Sequence, residues 1–328
     1  MDEASVASEG ALGGAGVGLR AGALGLVVRL AAEGAGALIV VLTGGEKGEE
    51  EKSRYEKAAS HEVTLLARPS PAVHSATIMS ETPPLRIDDD TWLLVLTGAG
   101  VSAESGIPTF RDAGGLWEKH RVEDVASPEG FRRDPELVWR FYSQRRVGMG
   151  SAAPNPGHAA IAAIERRLGD RFLLATQNID GLHKTAGSER MVELHGNLYT
   201  TRCSVCDRPP FEDHEVHLDG KLPTCSECAA RGATALLRPH IVWFGEMLDP
   251  ANMKRVDDFL LEAKRHRLVF LAAGTSGAVY PAAGFVDLVR QMRGETWLVN
   301  AERADNASAF GHFVEGPSGK VLPALFAT

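Results

Sequence analysis

The 328-residue chain has four cysteines, Cys203-x-x-Cys206 and Cys225-x-x-Cys228, with 18 residues between the pairs. Two such knuckles can turn four thiolates toward one point, and the ion that takes four sulfurs tetrahedrally is zinc. A site closed by four sulfurs keeps no position for water or substrate, so the implied Zn2+, one per chain, is structural. Upstream, the apolar run Trp92 to Leu96 enters Thr97-Gly98-Ala99-Gly100-Val101-Ser102. Small residues there let backbone N–H groups approach a pyrophosphate where a helix starts. Gln177-Asn178-Ile179-Asp180 follows a second apolar run, Phe172 to Ala175, which sets polar side chains at the carboxyl end of a strand, where open α/β sheets bind ligands. Asn178 and Asp180 equally suit the capping of a turn. Among eleven histidines, any one near a substrate hydroxyl can serve as a base, because imidazole titrates near neutrality.

Residues of this kind need a scaffold that brings strand ends together. Short apolar runs at Trp92 to Leu96, Phe172 to Ala175, Val269 to Ala272 and Thr296 to Val299 predict buried parallel strands, and His158 to Leu168 and Ala251 to Lys264 predict crossover helices. The fold class is α/β, a Rossmann-like doubly wound parallel sheet. Two insertions interrupt it: a helical one over about 113–150, and a zinc-binding module over about 199–233, giving a catalytic domain of 85–328. Residues 1–84 read as a flexible extension, with a Gly/Ala/Val stretch, a charged stretch from Glu46 to Lys57, and prolines at 69, 71, 83 and 84. Within it, Gly14 to Gly18 lacks the spacing of a dinucleotide fingerprint, Ala37 to Leu42 suits one buried strand, and Met79 is a candidate native start.

A formal net charge of -8 gives no attraction to phosphate backbones, so nucleic acid is not an expected partner. Ala21 to Leu42 is broken by Arg29 and Glu33 and makes neither a membrane span nor, behind Asp2, Glu3 and Glu9, a signal peptide. With paired cysteines of metal type, the expected setting is a reducing cytoplasm and the expected state a monomer.

Taken together, the string from Gly98 to Arg111, then Gln177-Asn178-Ile179-Asp180, then Leu194-His195-Gly196 resembles the three signatures of the sirtuin family, in family order, with likeness extending from about Trp92 to Pro323. The resemblance implies an NAD-consuming protein-lysine deacylase. It assigns the NAD phosphates to Gly98, Ala99, Gly100, Ser102 and neighbouring backbone, with Glu104, Pro108, Thr109, Phe110, Arg111 and Trp117 in or beside the cofactor-binding loop. Gln177, Asn178, Ile179 and Asp180 go to the ribose and the nicotinamide carboxamide, Asn178 also to catalysis. Gly274-Thr275-Ser276, Asn300-Ala301-Glu302 and Ser318 go to the adenosine. His195 is singled out from His158, His183 and His240 as the general base. Val242, Phe244, Gly245 and Glu246 resemble the segment that pairs with a substrate peptide; without the family, that segment reads as a buried strand end.

Tyr142-Ser143-Gln144-Arg145 resembles the Tyr-x-x-Arg pair of the sirtuin subgroup that prefers succinyl- and malonyl-lysine, and Ala113 stands where that subgroup has a small residue. A guanidinium can bind an acyl carboxylate through paired N–H donors, with a phenol assisting, and residues three apart share a helix face. In the implied reaction the acyl oxygen attacks the nicotinamide-bearing ribose carbon and His195 then activates a ribose hydroxyl. The products are nicotinamide, O-acyl-ADP-ribose and free lysine. ADP-ribosyl transfer to protein, and an NAD-sensing module with vestigial catalysis, are the alternatives.

Overall fold

In the computed structural model the described residues are 18–20, 27–29, 85–109, 116–117, 120–277, 279, 282–304 and 306–327. The chain divides into two units, Met1–Ser75 and Ala76–Thr328. In the first, Gly18–Arg20 pairs antiparallel with Val27–Arg29. Ala37 to Leu42 and Met79 lie outside the described residues.

Among the described residues of the second unit, the longer strands are labelled here β1 Thr91–Thr97, β2 Phe172–Thr176, β3 Met191–Glu193, β4 Gly196–Cys203, β5 Leu237–Ile241, β6 Arg267–Ala273, β7 Glu295–Asn300 and β8 His312–Glu315. Its longer helices are α1 Pro135–Gly148, α2 Pro156–Leu168, α3 Pro250–Ala263, α4 Phe285–Gln291 and α5 Ser318–Leu325. Six strands form one sheet in the order β8-β7-β6-β1-β2-β3, with every neighbouring pair parallel. The chain winds outward from β1 in one direction and returns to wind outward from β6 in the other, so the topology reverses between β1 and β6. That reversal makes a crevice beyond the carboxyl ends of the two strands.

The central strands are apolar throughout because both faces are covered. Leu94 and Leu96 of β1 face a core with α3 and α4, while Leu93 and Val95 face one with α2 and α5. The four expected strands are present, each one to three residues longer than its apolar run. The edges β3 and β8 carry His312, Glu193 and Glu315 and do not form apolar runs, so periodicity does not reveal them. The helices start where capping chemistry allows: Asn155 caps α2 through Gly157 N–H at 2.9 Å, and Asp249 caps α3 through Ala251 N–H at 2.8 Å, each with a proline in the first turn.

The other strands form a separate three-stranded sheet, β5-β4 plus Phe211–Glu212. The cysteine module is thus framed by strands from Gly196 to Ile241, wider than the cysteines alone suggest. Pro239 sits in β5, an edge strand, where a missing N–H costs no ladder bond. The helical insertion and this sheet are not separate lobes. Trp139 and Phe141 of α1 share one core with Cys203, Cys225, Cys228 and Trp243. Trp139 Nε1 donates to the Leu237 carbonyl at 2.9 Å, and buried Arg146 donates to the Leu198 carbonyl at 2.9 Å and to Thr201 Oγ1 and Asp213 Oδ2 at 3.2 Å.

At the reversal point the loops after β1 and β6 meet backbone to backbone. Gly98 N–H donates to Ala273 O at 3.1 Å and Gly100 N–H to Gly274 O at 2.8 Å. A side chain on Gly274 would bring Cβ to 2.2 Å from Val101 N, and its φ is +61°. Gly274→Ala should therefore lower stability by about 2–4 kcal/mol, through backbone clash and left-handed strain together. Urea unfolding checks this; a change within about 0.5 kcal/mol would contradict the packing.

Candidate active site

A cleft of about 790 Å³ opens over the carboxyl ends of the strands at the reversal point, within the roughly 300–1,000 Å³ of small-molecule and cofactor sites. Gly98, Ala99, Gly100, Glu104, Pro108 and Thr109 line it from the loop after β1. Gln177, Asn178, Ile179, Asp180 and His195 line it from the loops after β2 and β3, and Gly274, Thr275, Ser276, Asn300, Ala301, Glu302 and Ser318 from the loops after β6, β7 and β8. Tyr142, Arg145, Val242, Phe244, Gly245 and Glu246 close the remaining side. Residues from 98 to 318 thus converge on one wall system. Phe110, Arg111 and Ala113 lie outside the described residues, as does the side chain of Trp117.

Gln177 is the joint of the site. Its N–H donates to the Thr97 carbonyl at 2.8 Å, its side-chain oxygen accepts the Thr275 hydroxyl at 3.0 Å, and its carbonyl lies 3.0 Å from His195 Nδ1. A carbonyl can only accept, so Nδ1 carries the proton and Nε2 keeps its lone pair. Burial lowers the His195 pKa, and the Gln177 carbonyl offsets this only in part. The ring is therefore neutral at physiological pH, as a base must be. The following Gly196 has φ +79°, and a Cβ there would meet the His240 carbonyl at 2.0 Å, so the Leu-His-Gly order lets β5 pass directly beneath His195.

Asn178 and Asp180 share a buried hub, the Ser102 hydroxyl. It donates to Asp180 Oδ2 at 2.7 Å and accepts Asn178 Nδ2 at 3.2 Å. With its N–H2 turned to Ser102, the Asn178 amide presents its carbonyl oxygen on the opposite side. Ser102 itself is fully buried and not part of the cleft wall. Asp180 Oδ1 also accepts the Leu182 N–H at 2.9 Å, closing the turn at Gly181 that leads into Leu182–Thr185, so the turn-forming and lining roles coexist. Glu104 accepts the Gly319 N–H, tying the glycine loop to the start of α5 beside Ser318.

Several residues behind the wall carry no family string that singles them out. His158 Nε2 lies 3.4 Å from the Ser102 hydroxyl, and His183 Nε2 lies 2.9 Å from Thr97 Oγ1, which donates to Thr176 Oγ1 at 2.8 Å. Thr176 in turn accepts the Asn178 N–H at 3.1 Å. Burial lowers both imidazole pKa values, that of His183 to about 3 with help from His158, so both rings are neutral supports. Their only sequence signal is polarity at a strand end or inside an apolar helix face.

On the far wall, the strand stops at Ile241 rather than running through Val242 to Glu246. The segment turns at Gly245, φ +88°, and its N–H groups find partners outside a strand ladder: Val242 on the His195 carbonyl, Phe244 on Ala126, and Glu246 on Trp243, at 2.9–3.0 Å. Glu246 pairs with Arg238 at 2.7 Å. Tyr142 is wholly buried and Arg145 half-buried, one turn apart on α1.

About the cysteines, Cys203 Sγ and Cys228 Sγ are 3.8 Å apart, as are Cys206 Sγ and Cys225 Sγ, and all four lie within 4.8 Å of one another. A tetrahedron with arms of about 2.3 Å has edges of about 3.8 Å, so the four sulfurs fit zinc. No helix among the described residues is long and apolar enough to cross a membrane.

A doubly wound sheet whose paired loops build a cleft at the reversal point defines a nucleotide-binding type of α/β protein. More narrowly, this chain belongs to the Sir2 family: the Sir2 family model matches residues 98–281. It is 42% identical over 258 residues to the mitochondrial NAD-dependent protein deacylase sirtuin-5 of Canis lupus familiaris, covering 72% of this chain and 81% of that one. It is 47% identical over 233 residues to the NAD-dependent protein deacylase of Escherichia coli K12, covering 70% and 79%. Among solved structures, a Sir2 homolog–NAD complex superposes with a TM-score of 0.64 at 40% identity, covering 72% of this chain and 88% of that one. A Sir2–p53 peptide–NAD+ structure does so with 0.60 at 28%, covering 72% and 92%.

Purified protein should carry one zinc per chain, and a chelator strong enough to strip it should unfold the Gly196–Ile241 sheet and lower the thermal midpoint. Metal analysis with well under one zinc per chain would contradict the four-sulfur site.

Proposed function

We propose that this protein is an NAD-dependent protein-lysine deacylase that removes acetyl, succinyl and malonyl groups, yielding nicotinamide, O-acyl-ADP-ribose and free lysine. The observation that carries the reading is the convergence of His195, Asn178 and Arg145 on one cleft. NAD supplies, when bound, the activated ribose–nicotinamide bond that is broken as the acyl group is transferred. The loops at Gly98–Gly100, Gly274–Ser276 and Asn300–Glu302, with Ser318, would hold its ADP half, and Gln177, Ile179 and Asp180 with Pro108 and Thr109 the nicotinamide half; Phe110, Arg111 and Trp117 are assigned to the cofactor by the sirtuin resemblance alone. Asn178 offers its carbonyl oxygen to the ribose. His195, protonated at Nδ1 by its bond to Gln177, takes a ribose hydroxyl proton at Nε2. Val242, Phe244, Gly245 and Glu246 receive the peptide, and Tyr142 and Arg145 meet the acyl chain; Ala113 is assigned to the acyl chain by the sirtuin resemblance alone. The polypeptide substrate is an acylated lysine of a protein; a cytoplasmic setting suits four cysteines that form no disulfide, and the protein acts as a monomer.

His195→Ala should lower kcat by about 10²- to 10⁴-fold with the fold intact; near-normal turnover would remove it as the base. Because its pKa is lowered from the ordinary 6.5, the base is lost by protonation only at lower pH, so the acid limb of kcat/KM should lie below about pH 6.5. A limb well above that contradicts the assignment. Arg145→Met should lower kcat/KM for succinyl-lysine by about 10- to 100-fold and for acetyl-lysine by less than about threefold. Equal losses would show that Arg145 does not read the acyl carboxylate.

A further inference from the structure

Below the acyl end of the cleft, the hydroxyl oxygen of Tyr142 accepts the indole N–H of Trp243 at 3.0 Å. Both side chains are buried, 0% and 2% exposed. The indole is fixed from several directions. The Arg238 guanidinium carbon lies 3.3 Å from its ring centroid, the Phe131 ring packs at 5.4 Å, and the Trp243 N–H of the main chain donates to Glu246 Oε2 at 2.9 Å. The same carboxylate takes two parallel N–H bonds from Arg238, 2.7 Å at Oε1 and 2.9 Å at Oε2, and a third from Arg202 at 3.2 Å. Arg238 Nη2 also donates to the Ile241 carbonyl at 2.9 Å, so the guanidinium is bound to the strand end, the carboxylate and the ring at once. Burial pushes the Glu246 carboxyl up, but Arg238, the Trp243 N–H and Arg202 more than offset it and hold it below the usual range. The pair stays ionised at neutral pH, and its paired geometry is the strong form of a carboxylate–guanidinium contact.

A phenol oxygen has its lone pairs and its O–H near the ring plane, so a donor on one side turns the hydrogen to the other. Resting on the reading of Tyr142 and Arg145 as the acyl-carboxylate pair, we propose that Trp243 is a positioning residue for acyl specificity. Its N–H fills the acceptor side of the Tyr142 hydroxyl and turns the O–H toward a succinyl or malonyl carboxylate beside Arg145, while the Arg238–Glu246 pair acts as the strut that holds the indole. An acetyl group has no carboxylate and does not use the donor. Burial raises the Tyr142 pKa far above neutrality, so the phenol remains a donor at every working pH.

The test is kcat/KM of the full chain on succinyl- and acetyl-lysine peptides with NAD, for wild type, Trp243→Phe, Tyr142→Phe and the double variant. Trp243→Phe keeps a ring and deletes the N–H. The succinyl-to-acetyl ratio should fall about tenfold, mainly through a raised KM for the succinyl peptide. In the Tyr142→Phe background the same change should move the ratio less than about twofold, because the hydroxyl it orients is gone. An unchanged ratio, or losses that simply multiply in the double variant, would overturn the proposal. Should Trp243→Phe fold poorly by circular dichroism, Arg238→Lys keeps the charge but loses the planar stack and paired donors. The ratio must then fall too, and an unchanged ratio overturns the proposal. A wild-type enzyme without desuccinylase activity, or one indifferent to Arg145→Met, defeats the acyl-carboxylate reading and this inference with it. A wild type that desuccinylates through Arg145 but is indifferent to Trp243→Phe defeats this inference alone.

Discussion

Between β1 and β6 the main chains of two loops touch without side chains between them, and the rest of the cleft takes its position from that contact. Gly98 and Gly100 spend their N–H groups on the carbonyls of Ala273 and Gly274, so the two halves of the sheet are joined at the place where their windings part. Parallel strands supply the carboxyl-end loops, the reversal supplies the gap, and the glycine contact sets the floor of the gap. The glycines therefore do a second job beside the one their pattern first suggests: they line the cleft, and at Gly98 and Gly100 the backbone is also opened to another loop of the same protein.

The opposite wall is held by a second core, in which α1 lies across the cysteine-bearing sheet. Adjacent residues of that helix divide the labour. Arg146 points down into the sheet and binds Leu198, Thr201 and Asp213, while Arg145 lines the cleft. The same core seats Trp243 beneath Tyr142. None of the four cysteines lines the cleft, yet the zinc site would matter to the acyl wall through packing, since Cys203, Cys225 and Cys228 are side chains of that core.

Much of this was readable in the residues. Four strands, two crossover helices and the zinc pattern follow from apolar runs and cysteine spacing, because buried strands and thiolate knuckles have few alternative explanations. The location of His195 and of the Tyr142–Arg145 pair needed the sirtuin resemblance, since a single imidazole or a helix-borne arginine has too many ordinary uses. What stayed hidden was the set of polar groups behind the wall. The buried Ser102 hydroxyl, His158, His183 and the Thr97–Thr176 bond are formed by residues up to 86 positions apart, and no local pattern encodes such a meeting. The turn at Gly245 was hidden for the same reason: the strand ends at Ile241, and the next donors go to His195 and Ala126.

The claim at the centre of this account is that the cleft consumes NAD to free an acylated lysine. The most direct measurement is to incubate the protein with NAD and a mixture of acetyl-, succinyl- and malonyl-lysine peptides and identify every product by mass. The account predicts free-lysine peptide, nicotinamide and the matching O-acyl-ADP-ribose in equal amounts, with no NADH absorbance. Formation of NADH, or ADP-ribose attached to protein with the acyl peptides intact, would contradict it.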